Sequence, residues 1–207
     1  MTQTQRPAAP TLWTIGHSTR PWDEFVLMLN EAGITALVDV RRYAASRRNP
    51  QFSGEEMART LPAAGIAYLP VPELGGRRTP RPDTTNLAWR NAGFRGYADY
   101  MQSEAYQDAT SRLAHLAEAQ PTAVMCAEAL WWQCHRSLIA DDFKARGWEV
   151  IHLVAPGRSE THPYTPAARI VEGRLDYTAA NGGSGSRDCS DPDTGSIRRS
   201  APWARCS

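Results

Sequence analysis

Short apolar runs alternate with amphipathic stretches along most of the chain. Thr11 to Gly16 (TLWTIG) is an apolar run that stops at Gly16-His17-Ser18. Pro21-Trp22-Asp23-Glu24 opens a helix, because proline fits a first turn and acids favour the positive end of the helix dipole. Phe25, Leu29 and Ala32 keep helical spacing, and Gly33 ends that helix. Ile34 to Val40 (ITALVDV) is nearly continuous in apolar residues, which suits a strand buried on both faces of a parallel sheet.

The alternation continues. Ser53 is a helix cap with Glu56 as its capping-box partner, and the helix runs to Gly65. Ile66 to Val71 (IAYLPV) is a third strand. Pro72 to Asn91 is a long loop rich in Pro, Gly and Arg, of the kind that is either functional or mobile. Phe94 to Met101 and Glu104 to Ala119 read as helices, and Thr122 to Cys126 as the fourth strand. Ser137 to Arg146 is a helix, Trp148 to Val154 (WEVIHLV) the fifth strand, and Thr165 to Gly173 a last short helix. This order predicts an α/β fold of three layers, a mainly parallel sheet of about five strands with helices on both faces. Residues 1–10 read as a disordered lead-in, 11–178 as a single domain and 179–207 as a flexible Gly/Ser-rich tail.

Composition narrows the function classes. Of 207 residues, 42% are hydrophobic, enough for one core. Net charge is +1, so the molecule as a whole does not attract nucleic acid. Locally it is basic: Arg41 to Arg95 holds ten Arg against four acids. An anion-binding role and a plain compositional habit both explain this, since Lys144 is the only lysine. Of four Cys, Cys189 and Cys206 lie in the tail, and the spacing is not that of a disulfide scaffold. No signal pattern opens the chain and no apolar run nears the ~20 residues of a membrane span, so a reduced cytoplasmic location is the expectation.

The chemistry gathers between the fourth strand and the helix after it. Cys126, Glu128, Cys134, His135 and Arg136 put two thiols, a carboxylate, an imidazole and a guanidinium within eleven residues. A strand, a loop and a helix N-terminus in that order make a place where anions bind and thiols become reactive. In a parallel sheet, ligands sit beyond the C-terminal strand ends. Those ends carry His17 and Ser18, then Asp39 and Arg41 with Arg47 beyond, then Gly75 and Gly76, then Cys126. Cys126 is the expected nucleophile, with Glu128 or His135 as proton carrier and Arg136 with Arg41 as anion clamp. A core role for Cys126, and a buried bridge from Arg136 to Asp39 or Glu128, are the plain alternatives. Gly75-Gly76 lets the backbone approach a phosphate or simply makes a turn. Adjacent Trp131 and Trp132 cannot easily both be buried, so one is expected in a pocket wall.

Three functions follow. The first is an enzyme using Cys126 on a phosphate-bearing or other anionic ligand, such as a nucleotide or a nucleic-acid end. The second is a nucleic-acid-binding module using Arg41, Arg42, Arg47, Arg48, Arg77 and Arg78 with aromatic stacking. The third is a metal-dependent enzyme or sensor with Cys126, Cys134 and His135 as ligands and His17 as a fourth, although adjacent Cys and His rarely point the same way. Cofactor and oligomeric state stay open, and no membrane partner is expected.

Longer motifs carry a resemblance: Thr14-Ile15-Gly16-His17-Ser18, Leu37-Val38-Asp39-Val40-Arg41, Ser46-Arg47 with Asn49-Pro50 and Phe52, Leu74-Gly75-Gly76, Phe94-Arg95-Gly96-Tyr97-Ala98-Asp99-Tyr100-Met101, and Cys126-Ala127-Glu128 with Cys134-His135-Arg136. Over Thr14 to Tyr177 the chain resembles the bacterial and archaeal family called domain of unknown function 488. The resemblance implies an α/β domain of about this size and no settled reaction. It also adds Arg95 and Tyr97 to the candidate ligand-binding residues. Tyr43-Ala44 stands where that pattern commonly has a proline. More loosely, the order of motifs looks like rhodanese and cysteine-phosphatase sites, where a Cys-to-Arg loop wraps an oxyanion or sulfur group. There five residues separate Cys and Arg; here nine do.

Overall fold

The computed structural model describes residues 9–46 and 48–179. Apart from residues 9, 10 and 179, the expected lead-in and tail lie outside the described residues. The elements run β1 (Thr11–Gly16), α1 (Trp22–Glu31), β2 (Ala36–Asp39), α2 (Gly54–Thr60), β3 (Ala67–Pro70), α3 (Ala92–Tyr100), α4 (Glu104–Ala119), β4 (Thr122–Cys126), α5 (Arg136–Ala145), β5 (Glu149–Ala155), β6 (Arg158–Thr161), β7 (Arg169–Val171) and β8 (Arg174–Asp176). The main sheet has the order β3-β2-β4-β1-β5-β6. Its first five strands are parallel, and β6 returns antiparallel beside β5.

Side-chain alternation along the strands builds a core on each face. Leu12, Val38, Val124 and Val150 point to one side, against Tyr97, Tyr106, Leu113, Leu138 and Phe143 from α3, α4 and α5. Ile15, Leu37, Ala123 and Met125 point to the other, against Phe25, Met28 and Leu29 of α1 and Met57 of α2. The three-layer α/β expectation therefore holds. Ser53 caps α2 as expected, accepting from the Glu56 backbone N–H at 3.3 Å. The capping box is not completed: the Glu56 carboxylate pairs with Arg59, and the α-helix ends at Thr60 with a 3-10 turn carrying the chain to Gly65.

Two elements differ from the sequence expectation. β6 (Arg-Ser-Glu-Thr) has no apolar alternation to announce it; it is an exposed edge strand held by pairing to β5. The expected helix over Thr165 to Gly173 is instead the start of a β7–β8 hairpin, turned by Glu172 (φ 50°) and Gly173 (φ 77°). Positive φ at both turn positions matches the twist of a tight hairpin. The loop from Pro72 to Asn91 is fastened to α3: Asp99 accepts from Arg81 N–H, the Thr84 hydroxyl and the Asn86 amide at 2.6–2.8 Å. Among the described residues, no helix is long and apolar enough to cross a membrane.

The strand order fixes where a ligand site belongs. From β1 the chain crosses by way of α1 to β2, and from β4 by way of α5 to β5, in opposite directions. The adjacent ends of β1 and β4 are thus a topological switch point, where such sheets open a crevice.

Candidate active site

The adjoining ends of β1 and β4 are built around Gly16, which pairs with Cys126. Pairing continues past the strands: His17 N–H donates to the Cys126 carbonyl at 3.1 Å and Ser18 N–H to that of Ala127 at 2.9 Å. The loop after β4 then folds over β1, so close that a Cβ on Gly16 would lie 1.8 Å from the Glu128 carbonyl oxygen. Arg136 pins this loop. Its Nη2 donates to the Glu128 carbonyl at 2.8 Å and to that of Ala129 at 3.4 Å. Arg136 is 1% exposed and forms no carboxylate pair among the described residues. Its Nε has no hydrogen-bond partner there either. The expected alternative of a bridge to Asp39 or Glu128 is not what forms: Arg136 takes the backbone of Glu128, whose carboxylate has no partner among the described residues.

A buried cation without a carboxylate needs another anion nearby. The cysteines supply a candidate. Cys126, at the end of β4, and Cys134, just before α5, bring their sulfurs to 2.8 Å. Cys134 Sγ also accepts from the Arg136 backbone N–H at 3.5 Å, and Cys126 Sγ from that of Glu128 at 3.4 Å. Burial pushes the Cys134 thiol up, but donation from Cys126 and the charge and N–H of Arg136 outweigh it and bring it down to about 7. Burial pushes Cys126 well up, and its role as donor to Cys134 holds it there. The pair is therefore polarised, with the thiolate on Cys134.

His135 completes the group. Its Nδ1 lies 3.3 Å from Cys134 Sγ, and its Nε2–H donates to the Val40 carbonyl at 3.2 Å. That bond leaves Nδ1 free to take a proton from the thiol. Neighbouring Cys and His side chains do converge here, because the chain turns between them. Cys134 is extended (φ −131°, ψ 153°), and His135 is already helical (φ −56°, ψ −14°). Gly76 makes room for the ring: a Cβ there would lie 2.8 Å from Nδ1. Gly75 likewise clears the Arg42 backbone at 2.8 Å. The glycine pair admits protein neighbours.

Asp39 and Arg41 form a brace on the α1/α2 side. Asp39 takes Arg41 Nε and Nη2 at 2.6–3.0 Å and the Tyr68 hydroxyl at 2.6 Å. Arg41 Nη1 donates to the Phe52 carbonyl at 2.8 Å and to His17 Nε2 at 3.1 Å, and Nη2 reaches Met57 Sδ. Every N–H of this guanidinium faces protein, so Arg41 shapes the loop and has none left for a clamp.

On the α5 side lies a polar chain that no sequence motif announced. The Thr14 hydroxyl donates to His152 Nδ1 at 2.6 Å, His152 Nε2–H to His162 Nδ1 at 2.9 Å, and His162 Nε2–H to Asp141 at 3.0 Å. Arg136 Nη1 stands 3.5 Å from Thr14 at the other end. Donors run one way from a buried cation to a buried carboxylate, linking two charges that do not touch. Trp131 stacks on His152 at 4.4 Å. The only advance signal was a histidine inside the apolar run of β5.

Burial keeps several of these rings neutral. It lowers His17 to about 4, an effect the Ser18 carbonyl opposes and Arg41 reinforces. It lowers His152 to about 2, with His162 and Arg136 adding to it. Folded pKa values lie below the unfolded value of 6.5, so the unfolded chain binds protons first. The stability these rings contribute is whole above pH 6.5 and drains as pH falls through 6.5 toward 4. By this linkage, His17→Gln should lose roughly 2–3 kcal/mol less than wild type between about pH 7 and 4.5. Urea unfolding across that range checks it; identical pH dependences would refute a neutral buried His17.

A cleft of about 580 Å³ opens above these groups. Of the expected residues it brings together Cys126, Glu128, Cys134, His135, Arg41 and Gly76. Arg42, Tyr43, Arg77 and Phe94 add walls, as do Asn91 and Gln133, which carried no sequence signal. His17, Ser18, Asp39, Gly75 and Arg136 stand behind that surface as supports. Ser18 and Arg77 both sit in the left-handed region, at φ 49° and 59°, which is uncommon for such residues. Tyr97 is buried, donating to the Leu74 carbonyl at 2.8 Å and lying 5.1 Å from the His135 ring. Arg95 does not reach the cleft walls. Arg47 lies outside the described residues. Trp131 is buried, Trp132 is exposed, and neither is a wall. Among the described residues, no group of three or more His, Cys, Asp or Glu is placed to hold a metal ion.

The family model described as "Domain of unknown function DUF488" matches residues 21–143, well over half of the chain, and the protein belongs to that family. No curated protein and no solved structure matches it.

Proposed function

For this member of a family whose description assigns no activity, we propose a thiol-dependent enzyme acting on an anionic, phosphate-bearing ligand. One observation carries the proposal: the Cys134 sulfur meets a base, a backbone N–H at the start of α5 and a second thiol, all at the wall of a basic cleft. The sequence alone favoured Cys126 as nucleophile. Their surroundings favour Cys134, since it has the lower pKa, stands beside His135 and accepts from Cys126. In this mechanism His135 Nδ1 takes the thiol proton and the Cys134 thiolate attacks the ligand's electrophilic centre. His135, holding that proton, returns it to the leaving group, and Glu128 lines the cleft beside them.

The rim selects the ligand's charge. Arg42 and Arg77 line the cleft, and among the described residues neither has a carboxylate partner. The two are adjacent, Arg42 donating to the Arg77 carbonyl at 3.2 Å. Guanidinium groups so placed suit phosphate oxygens. Tyr43 and Phe94 are two aromatic walls that suit a planar base. This rim also supports a second reading, in which the cleft binds the end of a nucleic acid.

The test is protection of Cys134 from iodoacetamide by adenosine monophosphate, inorganic phosphate or a short single-stranded oligonucleotide. Protection by the nucleotide, lost in Arg42→Ala/Arg77→Ala, is expected. Protection by the oligonucleotide alone, falling steeply with salt, would favour the second reading. No protection by any of the three would refute an anionic ligand at this site.

A further inference from the structure

The mechanism above leaves one group without a task of its own: the second sulfur. Cys126 is 2% exposed, ends an apolar strand and touches Cys134 at 2.8 Å, yet it lines the same cleft. The two come from the two ends of the loop that joins β4 to α5, one at the strand end and one just before the helix. Joining their sulfurs needs no rearrangement of the sheet. Their environments are also unequal. Cys134 Sγ has the Arg136 N–H at 3.5 Å and the His135 imidazole at 3.3 Å; Cys126 Sγ has the Glu128 N–H at 3.4 Å and, as a donor, the Glu128 carbonyl at 3.8 Å. One nucleophilic and one resolving thiol is the arrangement that dithiol chemistry requires.

We propose that Cys134 and Cys126 form a nucleophile and resolving pair that reduces a small disulfide bearing carboxylate or phosphate groups. This rests on the thiolate reading above and gives it a substrate class. In the first step the Cys134 thiolate attacks one sulfur of the substrate. A Cys134–substrate disulfide forms, the substrate's own S–S bond breaks, and its other half leaves as a thiolate that takes up a proton. In the second step Cys126, deprotonated with His135 accepting the proton, attacks Cys134 Sγ. The mixed disulfide breaks and the second half leaves as a thiol. Two electrons have passed from the two cysteines to the substrate, and a Cys126–Cys134 disulfide remains. An attacking thiol with pKa near ambient pH is the efficient one for such exchange, which matches a Cys134 value of about 7. Arg42 and Arg77 on the rim, without carboxylate partners among the described residues, favour an anionic disulfide over a neutral one.

The experiment uses the full chain carrying Cys189→Ser and Cys206→Ser, so that only the two site thiols react. The reduced protein is mixed with oxidised glutathione, an anionic probe, or with hydroxyethyl disulfide, a neutral one, and followed by intact mass and peptide mapping. The expected result is a Cys126–Cys134 disulfide, with release of both halves of the probe. Adding Cys126→Ser should stop the reaction at a mixed disulfide on Cys134, and adding Cys134→Ser should slow the first step at least about tenfold. Oxidised glutathione should react about tenfold faster than the neutral probe, and Arg42→Ala/Arg77→Ala should remove that preference. Equal rates for both probes would overturn the substrate class. If Cys134 alkylates readily near neutral pH but no internal disulfide forms, the pair proposal falls and the thiolate reading stands. If Cys134 does neither, both fall.

Discussion

Gly16→Ala is expected to destabilise the protein by on the order of 4 kcal/mol and to disable the cysteine pair. The added Cβ would lie 1.8 Å from the Glu128 carbonyl oxygen, 2.7 Å from its carbon and 2.9 Å from Arg136 Nη2. Two of those atoms are backbone, so no side-chain rotation relieves the overlap. The loop over β1 must lift, and in lifting it loses the 2.8 Å bond from Arg136. Overpacking of this kind costs about 1–3 kcal/mol. A charge-assisted hydrogen bond adds about 1.5–3 kcal/mol. Against a typical total of about 5–15 kcal/mol, that is a large share. Thermal and urea unfolding read it directly. An unchanged melting temperature would mean that the loop does not cross Gly16 as described.

Arg136→Met is expected to move Cys134 back toward an ordinary thiol. Methionine keeps much of the buried volume but none of the donors to Glu128, Ala129 and Thr14. The Arg136 charge and N–H are among the influences that bring Cys134 from 9.0 to about 7. Removing that charge should slow alkylation near pH 7, by about fivefold if the pKa rises one step and by about fiftyfold if it returns to 9.0. Stability should fall by about 3 kcal/mol, because the Glu128 and Ala129 carbonyls lose a charge-assisted donor. Arg136→Lys retains charge without the fork and should fall between. Alkylation of Arg136→Met at the wild-type rate would remove Arg136 from the account of the thiolate.

What was legible in the sequence follows from how local each signal is. The central strands β1, β2 and β4 are apolar runs buried on both faces, so composition marks them, and β3 and β5 continue the same apolar pattern at lower burial. β6 is not marked, because a polar edge strand is defined only by its partner β5. The β7–β8 hairpin was misread because Ala167, Ala168, Ile170 and Val171 imitate helical spacing, and because Glu172 is an unusual residue for a left-handed turn position. At the site, Cys126, Glu128, Cys134 and His135 were legible as a cluster within eleven residues. Which sulfur bears the charge was not, since that depends on Arg136 folding back and on Cys126 acting as a donor. Gly75-Gly76 left a phosphate approach and a plain turn both open, and their clearance serves Arg42 and His135. Thr14, His152, His162 and Asp141 meet from four places in the chain, beyond the reach of any local pattern.

Both the proposed attack and the dithiol exchange require a thiolate on Cys134. The pH dependence of iodoacetamide labelling, followed separately at Cys126 and Cys134 by peptide mapping, tests it most directly. The expected result is a Cys134 labelling rate that rises with a midpoint of about 7, while Cys126 stays unlabelled over the same range. A Cys134 midpoint at or above the ordinary thiol value of about 8.5, or earlier labelling of Cys126, would contradict it.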